Sequence, residues 1–173
     1  DLTKVAAQQV TNDSTDLNYT VVYAANKEAA KVTYIDDTTG KTLSAKDLSG
    51  SFGTTDDYRT ADTIKDYENQ GYVLVSDGYP TNGVVYDQDG VVKSYEVHLT
   101  HGTTENTESS KVNETIHYVY SDGSKAADDY NATALEFTRT VTTDKVTGEK
   151  TYGAWTAKDG SSFTAVTSQT IAG

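Results

Sequence analysis

Period-two alternation broken by turns of Asp and Gly is the feature that most narrows what this chain can become. Residues 31–43, "KVTYIDDTTGKTL", set Val32, Tyr34 and Leu43 toward one side of extended chain and make a corner at Asp36, Asp37 and Gly40. Residues 115–127, "TIHYVYSDGSKAA", repeat the phrase. Side chains of a strand alternate between faces, so each stretch reads as a half-buried strand, an acidic turn and the start of a second strand. Nothing catalytic stands beside either turn.

The chain has 173 residues, enough for one or two domains, and only 35% of them are hydrophobic. Two small β domains fit that apolar content better than one large one. Thr, Tyr and Val are abundant, Pro occurs once, and long runs of good helix formers are missing, which favours strands. Cys and Met are both absent, so neither a disulfide framework nor a thiolate metal site can form. No stretch approaches the roughly 20 apolar residues of a membrane-spanning helix, and the first residues do not read as a signal peptide. Formal net charge is -12. That argues against nucleic acid and anionic membrane surfaces, which need a basic face, and favours solubility and repulsion between neighbouring copies.

Along the chain, Leu17, Tyr19, Val21 and Tyr23 alternate with more polar residues, which predicts a strand within residues 1–26. Residues 60–71, "TADTIKDYENQG", predict the one clear helix. Thr60 or Asp62 can cap it, Ile64 and Tyr67 share a face, and Gly71 supplies a left-handed stop. "YVLVSDGYP" reads as a strand entering a turn, and residues 84–101 as a hairpin turning at Asp89-Gly90, with Tyr95, Val97 and Leu99 on one face. The polar stretch 102–111, "GTTENTESSK", has no apolar anchor and reads as a linker. Beyond it, Phe137, Arg139 and Val141 alternate on one arm of a hairpin, with Tyr152 and Trp155 on the other and Gly148 at the turn. Two segments align as openers ("VTYIDDTTGKT", "IHYVYSDGSKA") and two as closers ("NYTVVY", "SYEVHL"), the self-similarity of an array built from one β unit.

In order and spacing, "KVTYIDDTTGKTL", "DTIKDYENQGYVLVSDGYP" and "YDQDGVVKSYEVHLTHGT" resemble the first domain of a Mub repeat, the unit of mucus-binding adhesins displayed by lactobacilli. Residues 112–173 resemble the second domain. The resemblance implies a mainly β, α+β fold of two β-grasp (ubiquitin-like), MucBP-type domains in tandem, with the helix in the first. It also implies an extracellular, cell-wall-anchored protein with adjacent repeats of the same kind. The expected division is 1–26 as the closing strand of a preceding repeat, 27–103 as the first domain, 104–111 as linker and 112–173 as a second domain lacking its closing strands and so exposing a sheet edge.

Candidate chemistry is sparse. Asp36-Asp37, Asp56-Asp57 and Asp128-Asp129 are adjacent pairs, and neighbours on extended chain point to opposite faces, so none makes the cross-cleft carboxylate pair of a glycosidase. His98 and His101 sit three apart on extended chain and also diverge; with His117 they read as surface or hydrogen-bonded side chains. Calcium, which takes oxygen ligands from irregular loops, could sit at Asp87 and Asp89 or at Asp36 and Asp37. The same sequences are ordinary turn vocabulary, and no cofactor is required. Tyr makes up 13 residues against 3 Phe, and Tyr suits surfaces that contact glycans or proteins. Most, such as Tyr34, Tyr95 and Tyr118, belong on half-buried strands. Tyr58, Tyr79, Tyr130 and Tyr152 lie nearer turns and are the expected exposed ligand-binding aromatics. The chain thus reads as a non-enzymatic module that binds mucin glycoproteins by weak multivalent contacts. The alternatives are an immunoglobulin-binding protein–protein module and an inert stalk spacer.

Overall fold

The computed structural model describes residues 4–171. Its elements in chain order are β1 (Lys27–Asp36), β2 (Lys41–Ser51), α1 (Ala61–Asn69), β3 (Tyr72–Asp77), β4 (Val92–His101), β5 (Thr103–Val112), β6 (Thr115–Val119), β7 (Lys125–Asn131), β8 (Leu135–Asp144), β9 (Lys150–Tyr152) and β10 (Thr156–Ala157). The first four strands form one sheet in the order β2-β1-β4-β3. With α1 joining the second strand to the third, this is a β-grasp arrangement. A second sheet runs β10-β8-β5 with β9 also on β8, and β6 pairs with β7 as a separate hairpin. The fold is mainly β with one helix among the described residues, as the alternation and the resemblance both imply.

The opening corner shows why these residues fold so. Along β1, Ala30, Val32 and Tyr34 are buried and the polar residues between them face outward. Asp36 is next in the buried register, and its carboxylate is absorbed by the turn it starts. Oδ1 accepts from the Thr38 amide at 2.9 Å and Oδ2 from the Thr39 hydroxyl at 2.6 Å. The second opener folds likewise, with Asp122 accepting from the Ser124 amide and hydroxyl between β6 and β7. Helix α1 buries Ile64 and stops at Gly71, whose φ of 102° suits glycine alone.

Backbone contacts divide the chain into two compact units. One comprises the residues up to Ile35 with Thr42–Thr60 and Asp77–Val97; the other comprises Asp36–Lys41, Ala61–Ser76 and His98 onward. The first unit is packed with tyrosine. Tyr34 and Tyr86 are fully buried, as are Val32, Val84 and Val97. Their hydroxyls are satisfied, Tyr34 by Tyr58 at 2.7 Å and Tyr86 by donating to Asp56 Oδ2, as buried phenols require. In the second unit Leu99, Ile64 and Val141 are the buried hydrophobic residues.

Three expectations are corrected. Residues 4–26 hold no strand, and Leu17, Tyr19 and Val21 are exposed; alternation without a neighbouring strand to pair with makes no sheet. The closing hairpin exists only as its second arm, β4. Gly90 makes the turn, but Tyr86 donates its amide to Thr54 and Val85 bridges to Thr55, so the first arm pairs elsewhere. The predicted linker at 104–111 is β5, paired antiparallel with β8 along its whole length. A ladder is held by main-chain groups, so a strand with two wet faces needs no apolar side chain, and one residue, Gly102, separates β4 from β5.

Two glycines test the packing. A Cβ at Gly71 would lie 2.5 Å from the Lys145 carbonyl oxygen, whereas at Gly123, φ 84°, it would meet nothing within 4 Å. Gly123→Ala is expected to cost about 1–2 kcal/mol, the left-handed penalty alone. Gly71→Ala should cost about 3 kcal/mol or more, because backbone must also move. Urea midpoints of the two variants check this.

Candidate functional site

The four tyrosines marked from sequence do not share one surface. Tyr79 is buried: its hydroxyl accepts from the Val84 amide at 3.2 Å, and its ring stands edge-on between Tyr58 at 5.6 Å and Tyr95 at 5.5 Å. Burial also raises its hydroxyl pKa above the usual value. Tyr79 is therefore a core residue, held by two neighbouring rings and by the Val84 amide of the turn that follows it. Tyr58 is half-buried through its bond to Tyr34. Tyr130, on β7 opposite Ile116, is 37% exposed, and Tyr152 on β9 is 52% exposed.

Tyr152 has company that the sequence reading did not single out as a site. The Arg139 guanidinium carbon lies 4.1 Å from the Tyr152 ring centre and 4.7 Å from that of Trp155, within cation–π range. Arg139 Nε donates to Glu108 Oε2 at 2.8 Å, and Nη2 lies 2.8 Å from the same oxygen in an ion pair. The available signal was the alternation of Phe137, Arg139 and Val141 opposite an aromatic arm. It was incomplete without β5, which brings Glu108. A second surface feature is an open depression lined by Ala24, Ala25, Asn26, Phe52 and Asp89.

The acidic turns are engaged by protein groups. Asp87 pairs with Lys93, Asp89 accepts from Asn26 at 3.1 Å, and the amide of Gly90 donates to the buried Glu28 at 3.0 Å. Asp37 pairs with His98 at 2.7 Å. Among the described residues no three His, Asp or Glu side chains are grouped to hold a metal ion.

His101 is the most constrained titratable group. Its side chain is 7% exposed, with Nδ1 2.6 Å from Asp144 Oδ2 and Nε2 3.0 Å from Asp36 Oδ2. The Tyr72 ring stands edge-on at 5.3 Å. The bond to Asp144 and the charge of Asp36 raise the imidazole's pKa against the effect of burial. Asp144 is lowered to about 2, by His101 first and then by the Thr147 and Val146 amides. Burial pushes Asp36 up, but the Thr39 hydroxyl, the Thr38 amide and His101 hold it below the usual value. The arrangement is a clamp in which one imidazole meets a carboxylate on each ring nitrogen.

Comparison with known proteins divides the chain at Gly102, between β4 and β5. Residues 28–101 match a family described as mucin binding domain, and residues 103–173 one described as Muc B2-like domain. Among solved structures, the chain is similar to Mub-RV, with 42% identity, a TM-score of 0.70, and coverage of 78% of this chain and 75% of that one. It is also similar to the type 2 repeat of the mucus binding protein MUB from Lactobacillus reuteri, with 31% identity, a TM-score of 0.55, and coverage of 80% and 83%. No curated protein matches.

The clamp sets a pH dependence of stability. His101 binds its proton more tightly folded than unfolded, so its contribution is complete below about pH 6.5 and fades as pH rises through the raised folded value. Asp144 and Asp36 behave oppositely, contributing fully above about pH 4 and losing that contribution as pH falls toward their lowered values. The urea midpoint should be highest between those limits. His101→Gln should flatten the decline on the alkaline side, measured as the difference between variant and parent at each pH. Because His98 and His117 also stand beside carboxylates, that difference isolates His101.

Proposed function

Since the chain belongs to the Mub-repeat family of mucus-binding proteins, we propose that it is an adhesin module holding host mucin glycoproteins by many weak contacts, on a secreted chain anchored to a bacterial cell wall. The observation that carries this reading is the mucin-binding family match over residues 28–101. The open surface agrees with it, since a repeat that binds weakly gains its hold from tethering. Linked sites raise the effective concentration for one another, and avidity can exceed single-site affinity by about 100-fold or more.

A second reading rests on one strand. β3 is at the edge of its sheet, and Val73, Leu74 and Val75 are exposed in succession. An apolar edge strand is a template for strand addition by a protein partner, immunoglobulin being the partner this reading favours.

Parallel pull-downs separate the two. The module should retain intact mucin and lose most of it after enzymatic deglycosylation. Retention of immunoglobulin fragments that carry no glycan, with no response to deglycosylation of mucin, would establish the second reading, and no retention of either would leave a spacer. The acidic surface, -12 at neutral pH, should repel sialylated and sulfated mucin. Lowering pH from about 7 to about 5 at low salt should therefore strengthen retention as carboxylates protonate.

A further inference from the structure

The surface best suited to a sugar lies outside the segment matched as mucin-binding. Antiparallel register sets Arg139 of β8 opposite Glu108 of β5, and Val141 of β8 opposite Tyr152 of β9. Positions 139 and 141 have the same parity, so Arg139, Val141 and the side chains opposite them share one face of the sheet. Val141 is buried beneath it, whereas Tyr152 and Trp155 are 52% and 43% exposed. Between them lies the Arg139–Glu108 pair, whose side chains are 26% and 44% exposed. Arg139 Nη1 and Glu108 Oε1 make no hydrogen bond to any described residue.

We infer that Tyr152, Trp155, Arg139 and Glu108 form a binding site for one uncharged hexopyranose or N-acetylhexosamine unit of a glycan chain. The inference rests on the adhesin reading and specifies where and what that reading binds. A pyranose has an apolar face of C–H groups and an edge of hydroxyls. The guanidinium covers one face of each ring, and the ring surface left exposed on Tyr152 and Trp155 supplies the apolar area for the first. Arg139 Nη1 and Glu108 Oε1, an unspent donor and an unspent acceptor, can bracket two adjacent hydroxyls of the second. The charge balance selects among sugars. Glu108 neutralises Arg139, and the chain around them is acidic at -12, so the site offers no net cation to a sialate or sulfate. The side chains are also held in place before any ligand arrives: two rings and a carboxylate fix the guanidinium, which lowers the ordering cost of binding. An open surface that covers one sugar binds at about millimolar strength, the regime in which repetition is needed.

The chain has a single tryptophan, so its emission reports this site directly. The intact chain is titrated with N-acetyllactosamine and, separately, with free N-acetylneuraminic acid. A saturable change in Trp155 emission with the first and none with the second is expected. Tyr152→Ser should weaken the response about three- to tenfold, the range one aromatic contact supplies. Glu108→Gln, which keeps the ladder and the side-chain size, should weaken it as well and serves if the loss of Tyr152 disturbs folding. An unchanged emission with N-acetyllactosamine, or a saturable response that neither variant alters, overturns the site. If mucin is retained while the sugar leaves the emission unmoved, the site is wrong and the adhesin reading stands. If the emission responds but mucin is not retained, the site stands and the adhesin reading falls.

Discussion

Ten consecutive residue pairs, from Thr103↔Asp144 to Val112↔Leu135, join β5 to β8, and the rest of the second half depends on them. Beyond His101 the one buried hydrophobic side chain among the described residues is Val141, too little apolar surface to organise several strands. Main-chain hydrogen bonds, each contributing about 1 kcal/mol net, must therefore carry much of the order here. The ladder's register then fixes the chemistry at two places. Its first pair puts Asp144 beside the residue two after His101, which closes the clamp. Its middle pair puts Glu108 against Arg139, which positions the guanidinium between Tyr152 and Trp155.

The β-grasp strands solve the same shortage of apolar residues differently. There tyrosine does what Leu and Phe do elsewhere, and each buried phenol brings a hydroxyl that must be satisfied. Tyr34 meets Tyr58, Tyr86 meets Asp56 and Tyr79 meets the Val84 amide. A core of this kind depends on geometry, since each misplaced ring strands a polar atom as well as opening a void. The tyrosines that remain outside, Tyr152 among them, are then the ones available to a ligand. A scaffold that buries Tyr34, Tyr79 and Tyr86 and leaves Tyr152 and Trp155 exposed on a sheet face suits weak, repeated contact.

How far the sequence was legible follows from what each element is made of. The Asp36–Gly40 corner and the helix ending at Gly71 were readable because their signals are local, an Asp that folds onto its own amides and a glycine with positive φ. β5 was not readable. Hydrophobic periodicity detects burial, and only Glu108 of that strand is even partly buried. The reverse error fell on residues 4–26, where alternation is present but no strand lies alongside to pair with it. Tyr79 looked like a loop residue by its place beside Gly78 and Pro80, whereas its ring packs against Tyr58 and Tyr95 and its hydroxyl takes the Val84 amide. Trp155 and Glu108 are twinned to Arg139 only through cross-strand register, and no single segment contains that information.

Native-state amide exchange tests the central claim most directly, because it reads the ladder bond by bond. If β5 is paired as described, its amides bonded to β8 should exchange with protection comparable to those of β8 itself, and far more slowly than the amides of residues 4–26. Exchange of the Thr103–Val112 amides as fast as that of residues 4–26 would mean that this segment is a linker after all. The register that assembles the His101 clamp and the Arg139 platform would then not exist.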